Sequence, residues 1–157
     1  MEKLTLNSDL KNITIVEKFV EEISDAYELQ HTHFGNILLV LTEAFKNAVI
    51  HGNANDPEKK VTIAFDPVQR GLSFTISDEG KGFDIDSIPD PVTAETDENA
   101  QKGRGIYVMR SLSDDIKFKE NGSCIEITFD VEGIGQKTMS HRKNLMHQYY
   151  KKNKEKV

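Results

Sequence analysis

The sequence predicts an α+β domain, a two-layer α/β sandwich whose mostly antiparallel sheet is covered on one face by three helices. Two sets of observations lead to this prediction. Pairs of short runs with alternating apolar and polar residues, separated by turn residues, predict β-hairpins and therefore antiparallel strands. Three other segments carry apolar residues at helical spacing and predict amphipathic helices. Because each element has an apolar face to bury, we expect them to share one core.

Composition sets the broad class of the protein. The chain has 157 residues, of which 37% are hydrophobic and 29% charged, which is typical of one globular domain. No apolar run approaches the roughly 20 residues of a membrane-spanning helix, and the first residues lack the apolar core of a signal peptide, so we expect a cytoplasmic protein without membrane association. A single cysteine, Cys124, cannot form an internal disulfide or a cysteine-based metal site, and we expect a buried, inert thiol.

Charge is distributed unevenly along the chain. Residues 133–157 hold seven Lys and Arg against one Glu, whereas residues 1–132 hold 13 basic and 25 acidic residues, a net charge of −12. An acidic body argues against direct nucleic-acid binding. We predict one domain over 1–132 and a basic C-terminal tail over 133–157. The tail has apolar residues at roughly helical spacing, and two interpretations stay open: a helix that docks on a partner or a second subunit, or a solvated basic end.

The beginning of the chain predicts one strand and one helix. Residues 2–7 are expected to form a short edge strand. Asn7, Ser8 or Asp9 can cap the helix that follows, and apolar residues at helical spacing extend that helix over roughly 9–28.

The dominant element is a strongly apolar helix that follows a predicted turn around 30–35 and extends over 37–50. Glu43, Asn47 and His51 are spaced at i, i+4 and i+8, which places them on one stripe of this helix. A carboxylate and an amide within an apolar helix cost free energy unless a polar partner meets them. This stripe is therefore where we look for a functional site.

Two hairpins follow the central helix. Alternating apolar residues in 61–65 and 72–76 predict the first, and segments 114–119 and 124–131, joined by the Asn121-Gly122 turn, predict the second.

A long segment and a third helix separate the two hairpins. Residues 84–102 show no periodicity and carry six acidic residues and two prolines, a pattern typical of a lid, a binding loop or disorder. A helical pattern then begins after Gly103-Arg104-Gly105 and extends over about 105–113.

The pair Glu43 and Asn47 is the first of three motifs that can carry chemistry. An asparagine oxygen is a suitable ligand for Mg²⁺, an ion that needs few protein ligands when phosphates and waters complete its coordination. A glutamate one turn away can polarise a water or hydroxyl beside the same phosphates. This spacing is common by chance, so the pair alone is equally consistent with two polar residues at the rim of a core helix.

The second motif, Asp78-x-Gly80-x-Gly82, ends a predicted strand. Glycines allow the backbone to approach a flat ligand or to adopt positive φ. The carboxylate can accept a hydrogen bond from an exocyclic amine such as that of adenine. Taken alone, this motif is more often only a turn.

The third motif, Gly103-Arg104-Gly105, is expected at the start of a helix. Such an entry presents free N–H groups at the positive end of the helix dipole, which suits an anion. Lys102 and Arg104 add positive charge, although Arg104 alone can equally pair with a surface acid.

In this order and on these elements, the three motifs together resemble the GHKL ATPase superfamily, whose ATP-binding structure is the Bergerat fold. Its N box matches EAFKNAVIHG from Glu43 to Gly52, its G1 box matches DEGKGF from Asp78 to Phe83, and its G2 box matches Gly103–Gly105. The spelling of the N box, the N-terminal helix and the small size are most similar to the anti-sigma-factor serine/threonine kinases. The resemblance covers about residues 5–131.

The resemblance implies a role for each matching residue. Glu43 would act as the catalytic base, and Asn47 would ligate Mg²⁺. Asp78 would contact the adenine amino group, with Gly80 and Gly82 shaping that wall of the pocket.

The phosphate end of the site would come from the later motif. Residues 84–102 would form a lid over ATP. Gly103 and Gly105 would offer backbone amides to the phosphates, with Lys102 and Arg104 adding positive charge.

One position departs from the family pattern. Kinases of this group commonly place an arginine two residues before the first glycine of the G2 box, where it meets the γ-phosphate, and here that position holds Gln101. Either Lys102 or Arg104 substitutes for it, or the protein binds ATP without transferring phosphate. His51, which closes the N-box helix, is interpreted as a helix cap or pocket wall rather than a catalytic residue.

The resemblance therefore implies an ATP- and Mg²⁺-dependent serine/threonine kinase that acts as an anti-sigma factor. It would sequester a sigma factor, phosphorylate a small anti-anti-sigma (STAS-type) partner, and form a homodimer. The alternative, which Gln101 favours, is a non-catalytic ATP/ADP-responsive binding module that regulates a partner protein. A structural domain without nucleotide would require all three motifs to have arisen by chance. We expect neither a histidine kinase, which needs phosphoacceptor helices before this domain, nor a gyrase- or MutL-like ATPase, which needs a transducer domain after it.

Overall fold

The computed structural model describes residues 2–82, 98–131 and 151, with side chains from Gly103 onward in the second range. Most of the predicted lid and nearly all of the predicted tail lie outside these residues. The domain boundary predicted at 132/133 therefore stays a prediction.

The described chain forms five strands and three principal helices. The strands are β1 (Glu2–Asn7), β2 (Lys60–Val68), β3 (Gly71–Ser77), β4 (Asp115–Lys119) and β5 (Cys124–Asp130). The helices are α1 (Ile13–Ala26), α2 (His31–Asn47) and α3 (Glu98–Leu112). A π-helical turn, Ala48–Gly52, continues directly from α2.

The strands form one sheet in the order β1-β2-β3-β5-β4, and every neighbouring pair is antiparallel. This confirms the predicted α+β class with an antiparallel sheet and three helices. Both hairpins are present, and β1 lies at the sheet edge as expected. Along the chain α3 lies between β3 and β4, whereas in the sheet β3 pairs with β5. Residues of α2, α3, β3 and β5 line one cleft.

The core lies between the sheet and the helices. Alternate strand residues point inward and are almost fully buried, and a row of rings crosses the core from α1 to β5. Ring centroids are 5.5 Å apart for Tyr27 and Phe65, 5.2 Å for Phe65 and Phe74, and 6.0 Å for Phe74 and Phe129. Such spacings are typical of favourable aromatic pairs. Cys124 is buried as predicted, and the Ser77 hydroxyl donates to its sulfur at 3.4 Å.

The first helix begins later than predicted. Asp9 caps a short 3₁₀ turn, Leu10–Asn12, by accepting a hydrogen bond from the Lys11 amide at 3.0 Å, and α1 starts only at Ile13. The capping residue was thus among the three predicted, but it caps the 3₁₀ turn that leads into the helix.

The predicted turn at 30–35 is wrong, because α2 already begins at His31. The apolar pattern used for the prediction starts only at Ile37, and the glycine at position 35 is typical of a turn. A glycine within a helix costs only about 1 kcal/mol relative to alanine, which the packing of α2 against α1 and α3 outweighs.

The predicted start of the third helix is also wrong. Helix α3 begins at Glu98, so residues 98–102 are helical rather than part of a loop, and Gly103 and Gly105 are its sixth and eighth residues. Free N–H groups are found only in the first turn of a helix. Both glycines lie beyond that turn, so their N–H groups are not free. Composition suggested a loop here because the segment is polar, but α3 packs along α2, and helix formation follows that packing.

Within the part of the chain that the structure describes, no helix is both long and apolar enough to cross a membrane.

Gly71 and Gly35 provide a matched test of the packing between β3 and β5. A Cβ on Gly71 would lie 1.9 Å from the Phe129 carbonyl oxygen, whereas a Cβ on Gly35 would meet no atom within 4 Å. We predict that Gly71→Ala lowers the free energy of unfolding by about 1–3 kcal/mol, while Gly35→Ala raises it by about 0.5–1 kcal/mol through helix propensity. Urea denaturation measures both changes, and equal effects would contradict the described contacts between β3 and β5.

Candidate functional site

The end of α2 carries two polar side chains toward α3. Glu43 and Asn47 are one turn apart, and Gly105 of α3 lies opposite both of them. A Cβ on Gly105 would lie 3.1 Å from Glu43 Oε2 and 3.2 Å from Asn47 Nδ2. Helix α3 therefore approaches this pair closely because residue 105 has no side chain.

The Glu43 side chain is partly buried and partly exposed to solvent. Its side chain is 28% exposed, and Lys46 Nζ lies 3.4 Å from Oε1, an i,i+3 ion pair on the same helix. One carboxylate oxygen thus faces Lys46, while the other faces Gly105. The carboxylate is therefore partly open to solvent, one turn before Asn47.

The π-helical turn ends α2 and changes the predicted stripe. Such turns frequently mark functional sites, and their i→i+5 bonding differs from α-helical spacing. His51 lies in this turn and is partly buried. It is not among the residues that line the cleft described below, so the pocket-wall interpretation finds no support there, and its role as a helix cap stays a prediction.

The Asp78 turn follows β3 and is held by its own backbone and by the second hairpin. Asp78 Oδ1 accepts a hydrogen bond from the Gly80 amide at 2.8 Å. The Asp78 amide donates to the Ser123 carbonyl at 2.9 Å. Gly82 has φ of 80° and packs on the second hairpin, since a Cβ there would lie 2.0 Å from the Asn121 carbonyl oxygen.

The same turn packs against the end of the π-helical turn. A Cβ on Gly52 would lie 2.3 Å from Asp78 Cγ, and a Cβ on Gly80 would lie 1.9 Å from the Gly52 carbonyl oxygen. Two glycines, one from each motif, therefore allow the backbones to touch. The sequence analysis singled out Gly80 for approach to a flat ligand or for positive φ, and it did not predict this packing against Gly52.

Asn53 is a further site residue that the sequence analysis missed. It is completely buried, and its side-chain oxygen accepts a hydrogen bond from the Glu79 amide at 2.8 Å. Its amide nitrogen donates to the Ser8 hydroxyl and to the Lys60 carbonyl. An asparagine after His-Gly looked like part of a polar loop, and only its burial distinguishes it.

A cleft opens between α2, α3 and the adjoining ends of β3 and β5. Its walls are mainly apolar, and its polar lining comes from Asn47, Asp78 and Ser123. The apolar lining residues are Ala44, Ala48, Ile76, Ile106, Met109, Phe118 and Ile125. A narrow apolar slot with a carboxylate at one wall and an amide at another suits a flat, amine-bearing ring.

The structure thus brings most of the predicted site residues into one region. Asn47 and Asp78 line the same cleft, Glu43 lies beside Gly105, and Gly80 and Gly82 shape the Asp78 turn. Gly103 is buried and Arg104 is partly buried on α3, while the side chain of Lys102 lies outside the described residues.

The side chains at the cleft determine which kind of metal ion could bind there. Among described residues, no group of three or more His, Cys, Asp or Glu side chains could hold a metal. Mg²⁺ is commonly held by one or two protein oxygens together with substrate phosphates. Asn47, with its amide beside the cleft, fits that mode of binding, and a dedicated all-protein metal cage does not.

An antiparallel sheet under three helices, with this cleft at the end of the central helix, is the architecture of a histidine kinase-like ATPase domain. The chain belongs to that family, since the model of the histidine kinase-like ATPase domain family matches residues 6–129. ATP is the ligand that membership of an ATPase family implies.

Within this family, the chain is similar to several anti-sigma F factors. The chain is 30% identical over 115 residues to the anti-sigma F factor of Shouchella clausii, covering 73% of this chain and 75% of that protein. It is 28% identical to the anti-sigma F factor of Bacillus cytotoxicus and 27% identical to that of Bacillus subtilis, covering 80% of this chain and 85% of each relative.

The chain also aligns with one domain of known structure. The histidine kinase domain of the Erythrobacter litoralis EL346 blue-light activated histidine kinase aligns with a TM-score of 0.47 at 16% identity. The alignment covers 85% of this chain and 63% of that one.

The contact between the Asp78 turn and the π-helical turn can be tested by adding one methyl group. We predict that Gly80→Ala lowers the free energy of unfolding by about 1–3 kcal/mol, because the new Cβ would meet rigid backbone. Gly105→Ala is the matched control, since its Cβ would meet only side-chain atoms at 3.1–3.3 Å. Chemical denaturation of both variants measures the difference, and an equal loss of stability would contradict the described close approach.

Proposed function

We propose that this protein is an ATP-binding anti-sigma regulatory factor with serine/threonine kinase activity toward an anti-anti-sigma partner. The observation that carries the proposal is the cleft itself, in which Asn47 and Asp78 line apolar walls beside Glu43. The anti-sigma F factor relatives support the regulatory role.

Asp78 is the proposed contact for the base. Asp78 lines a mainly apolar cleft, where its carboxylate can accept a hydrogen bond from the adenine amino group. Gly80 and Gly82 keep the turn compact and clear of side chains. The apolar walls supply the remaining contact area for the ring.

The phosphates are proposed to lie between the end of α2 and α3. Mg²⁺, when bound by Asn47 and the phosphates, neutralises negative charge on the transferring group. Lys102 and Arg104 would add local positive charge. The amides of Gly103 and Gly105 lie inside α3. For them to donate hydrogen bonds to the phosphates, as proposed, the first turns of this helix must open.

Glu43 is the proposed general base. Its carboxylate is partly exposed beside the cleft, where it can accept the proton of an attacking serine or threonine hydroxyl. Lys46 on the same helix pairs with this carboxylate, with Nζ 3.4 Å from Oε1. Positioning and charge stabilisation are expected to supply most of the rate enhancement, as in other phosphoryl transfer sites.

The partners follow from the relatives rather than from a surface on this chain. We propose that the protein sequesters a sigma factor, phosphorylates a STAS-type anti-anti-sigma protein, and acts as a homodimer in the cytoplasm. No direct role for nucleic acid or membrane is proposed. The basic tail over 133–157 is a candidate contact region for a partner or second subunit.

A second candidate function is a non-catalytic module that binds ATP or ADP and changes its affinity for a partner. Gln101, at a position where related kinases commonly have arginine, favours this alternative. It shares the nucleotide site with the kinase proposal and differs only in the transfer step.

Nucleotide binding is tested first, by calorimetric titration with Mg·ATP. We predict that Asn47→Ala and Asp78→Asn each weaken binding by about tenfold or more, since each removes a polar contact to a charged or amine group. Asn36→Ala, on the same helix away from the cleft, is the matched control and is expected to bind as the wild type does. Absence of binding by the wild-type protein would refute both candidate functions.

Phosphoryl transfer is tested with Glu43→Gln. We predict a loss of about 10²–10⁴-fold in phosphorylation of the STAS-type partner, with ATP affinity retained, because only the base is removed. Glu17→Gln on the exposed side of α1 is the control. Transfer of labelled phosphate to the partner is the measurement, and a wild-type protein that binds ATP without any transfer would leave the non-catalytic module as the function.

A further inference from the structure

Asn53 is held by three hydrogen bonds in a fully buried position. Its oxygen accepts from the Glu79 amide at 2.8 Å, and its nitrogen donates to the Lys60 carbonyl at 2.9 Å and to the Ser8 hydroxyl. A buried amide without partners is costly, so this arrangement fixes the side chain in one orientation. Asn53 thereby joins the start of β2 and the segment after β1 to the turn after β3.

Only one of these bonds involves a residue that adjoins the cleft lining, namely Glu79 beside Asp78. Glu79 directly follows Asp78, so the bond from its amide to Asn53 holds the backbone beside the Asp78 carboxylate. The contact of Gly80 with the Gly52 carbonyl supports the same turn from the neighbouring residue. The end of the central helix thus determines where the Asp78 carboxylate lies in the cleft.

We propose that Asn53 is a positioning residue that fixes the Asp78 carboxylate for an adenine ring and so sets the preference for ATP over GTP. This inference rests on the proposed nucleotide site. Asn53 makes no contact with the base in this arrangement, and it acts through the amide of Glu79.

The chemistry of the two bases explains why position matters. Adenine presents an amino donor at the place where guanine presents a carbonyl acceptor. A fixed carboxylate accepts a hydrogen bond from the adenine amine and repels the guanine carbonyl. A carboxylate that is free to move away binds the adenine amine less well and repels the guanine carbonyl less strongly. The preference for ATP over GTP therefore falls.

Two substitutions separate positioning from general stability. Asn53→Ala removes the acceptor for the Glu79 amide. Ser8→Ala is the matched control, because it removes another of the three bonds and leaves the Glu79 bond in place. Both variants are made in a Gly35→Ala background, which adds helix stability at the far end of α2.

The measured quantity is the ratio of the Kd values for GTP and ATP, determined by calorimetry at fixed Mg²⁺. We expect this ratio to fall by about tenfold in Asn53→Ala and to change by less than about twofold in Ser8→Ala, even where both variants lower Tm. In the absence of nucleotide, hydrogen exchange of the Glu79 amide is expected to accelerate in Asn53→Ala and to stay slow in Ser8→Ala.

Asn53→Asp keeps the proposal testable if the alanine variant does not fold. A carboxylate oxygen still accepts the Glu79 bond but loses the donor to Lys60, so we expect preference for ATP within about threefold of the Ser8→Ala control. A folded Asn53→Asp variant that loses this preference would overturn the proposal.

The remaining outcomes are separable. A wild-type protein that binds ATP and GTP equally well overturns the inference, and so does Asn53→Ala with an unchanged ratio. If the wild type binds no nucleotide, the proposed function fails instead, and the exchange of the Glu79 amide still shows whether Asn53 holds the turn.

Discussion

The backbone contact between the end of the central helix and the turn after β3 is the constraint on which the site depends. A Cβ on Gly80 would collide with the Gly52 carbonyl, and a Cβ on Gly52 would collide with the Asp78 carboxylate. Buried Asn53 accepts a hydrogen bond from the Glu79 amide. Because these contacts join two segments by backbone, they are rigid. They place the Asp78 carboxylate within the cleft that Asn47 also lines.

A second close approach completes the cleft. Helix α3 passes over Glu43 and Asn47 at Gly105, where any side chain would meet their polar atoms. The polar residues of the central helix are therefore met by a backbone surface rather than by solvent alone. For the carboxylate that this apolar helix carries, the polar partner is Lys46, whose Nζ lies 3.4 Å from Glu43 Oε1.

The position of the third motif within α3 affects how the site could bind an anion. Gly103 and Gly105 lie within α3, so their amides are engaged in the helix rather than presented to an anion. A site that binds phosphates through these amides needs α3 to exchange helical hydrogen bonds for contacts with the ligand. Local opening of this kind costs free energy, which links nucleotide binding to the conformation of the segment before Gly103.

Local pattern and residue chemistry were enough to predict the α+β fold, the hairpins, Glu43 with Asn47, and the turn at Asp78, because periodicity and motif spacing depend on residues near in sequence. The start of α3 at Glu98 was not predictable, since the segment before Gly103 is polar without apolar periodicity and extends a helix that packs on α2. Asn53 was missed for a related reason. Its value lies in a hydrogen bond across 26 residues of chain and in complete burial, and both exist only once the sheet and the central helix have come together.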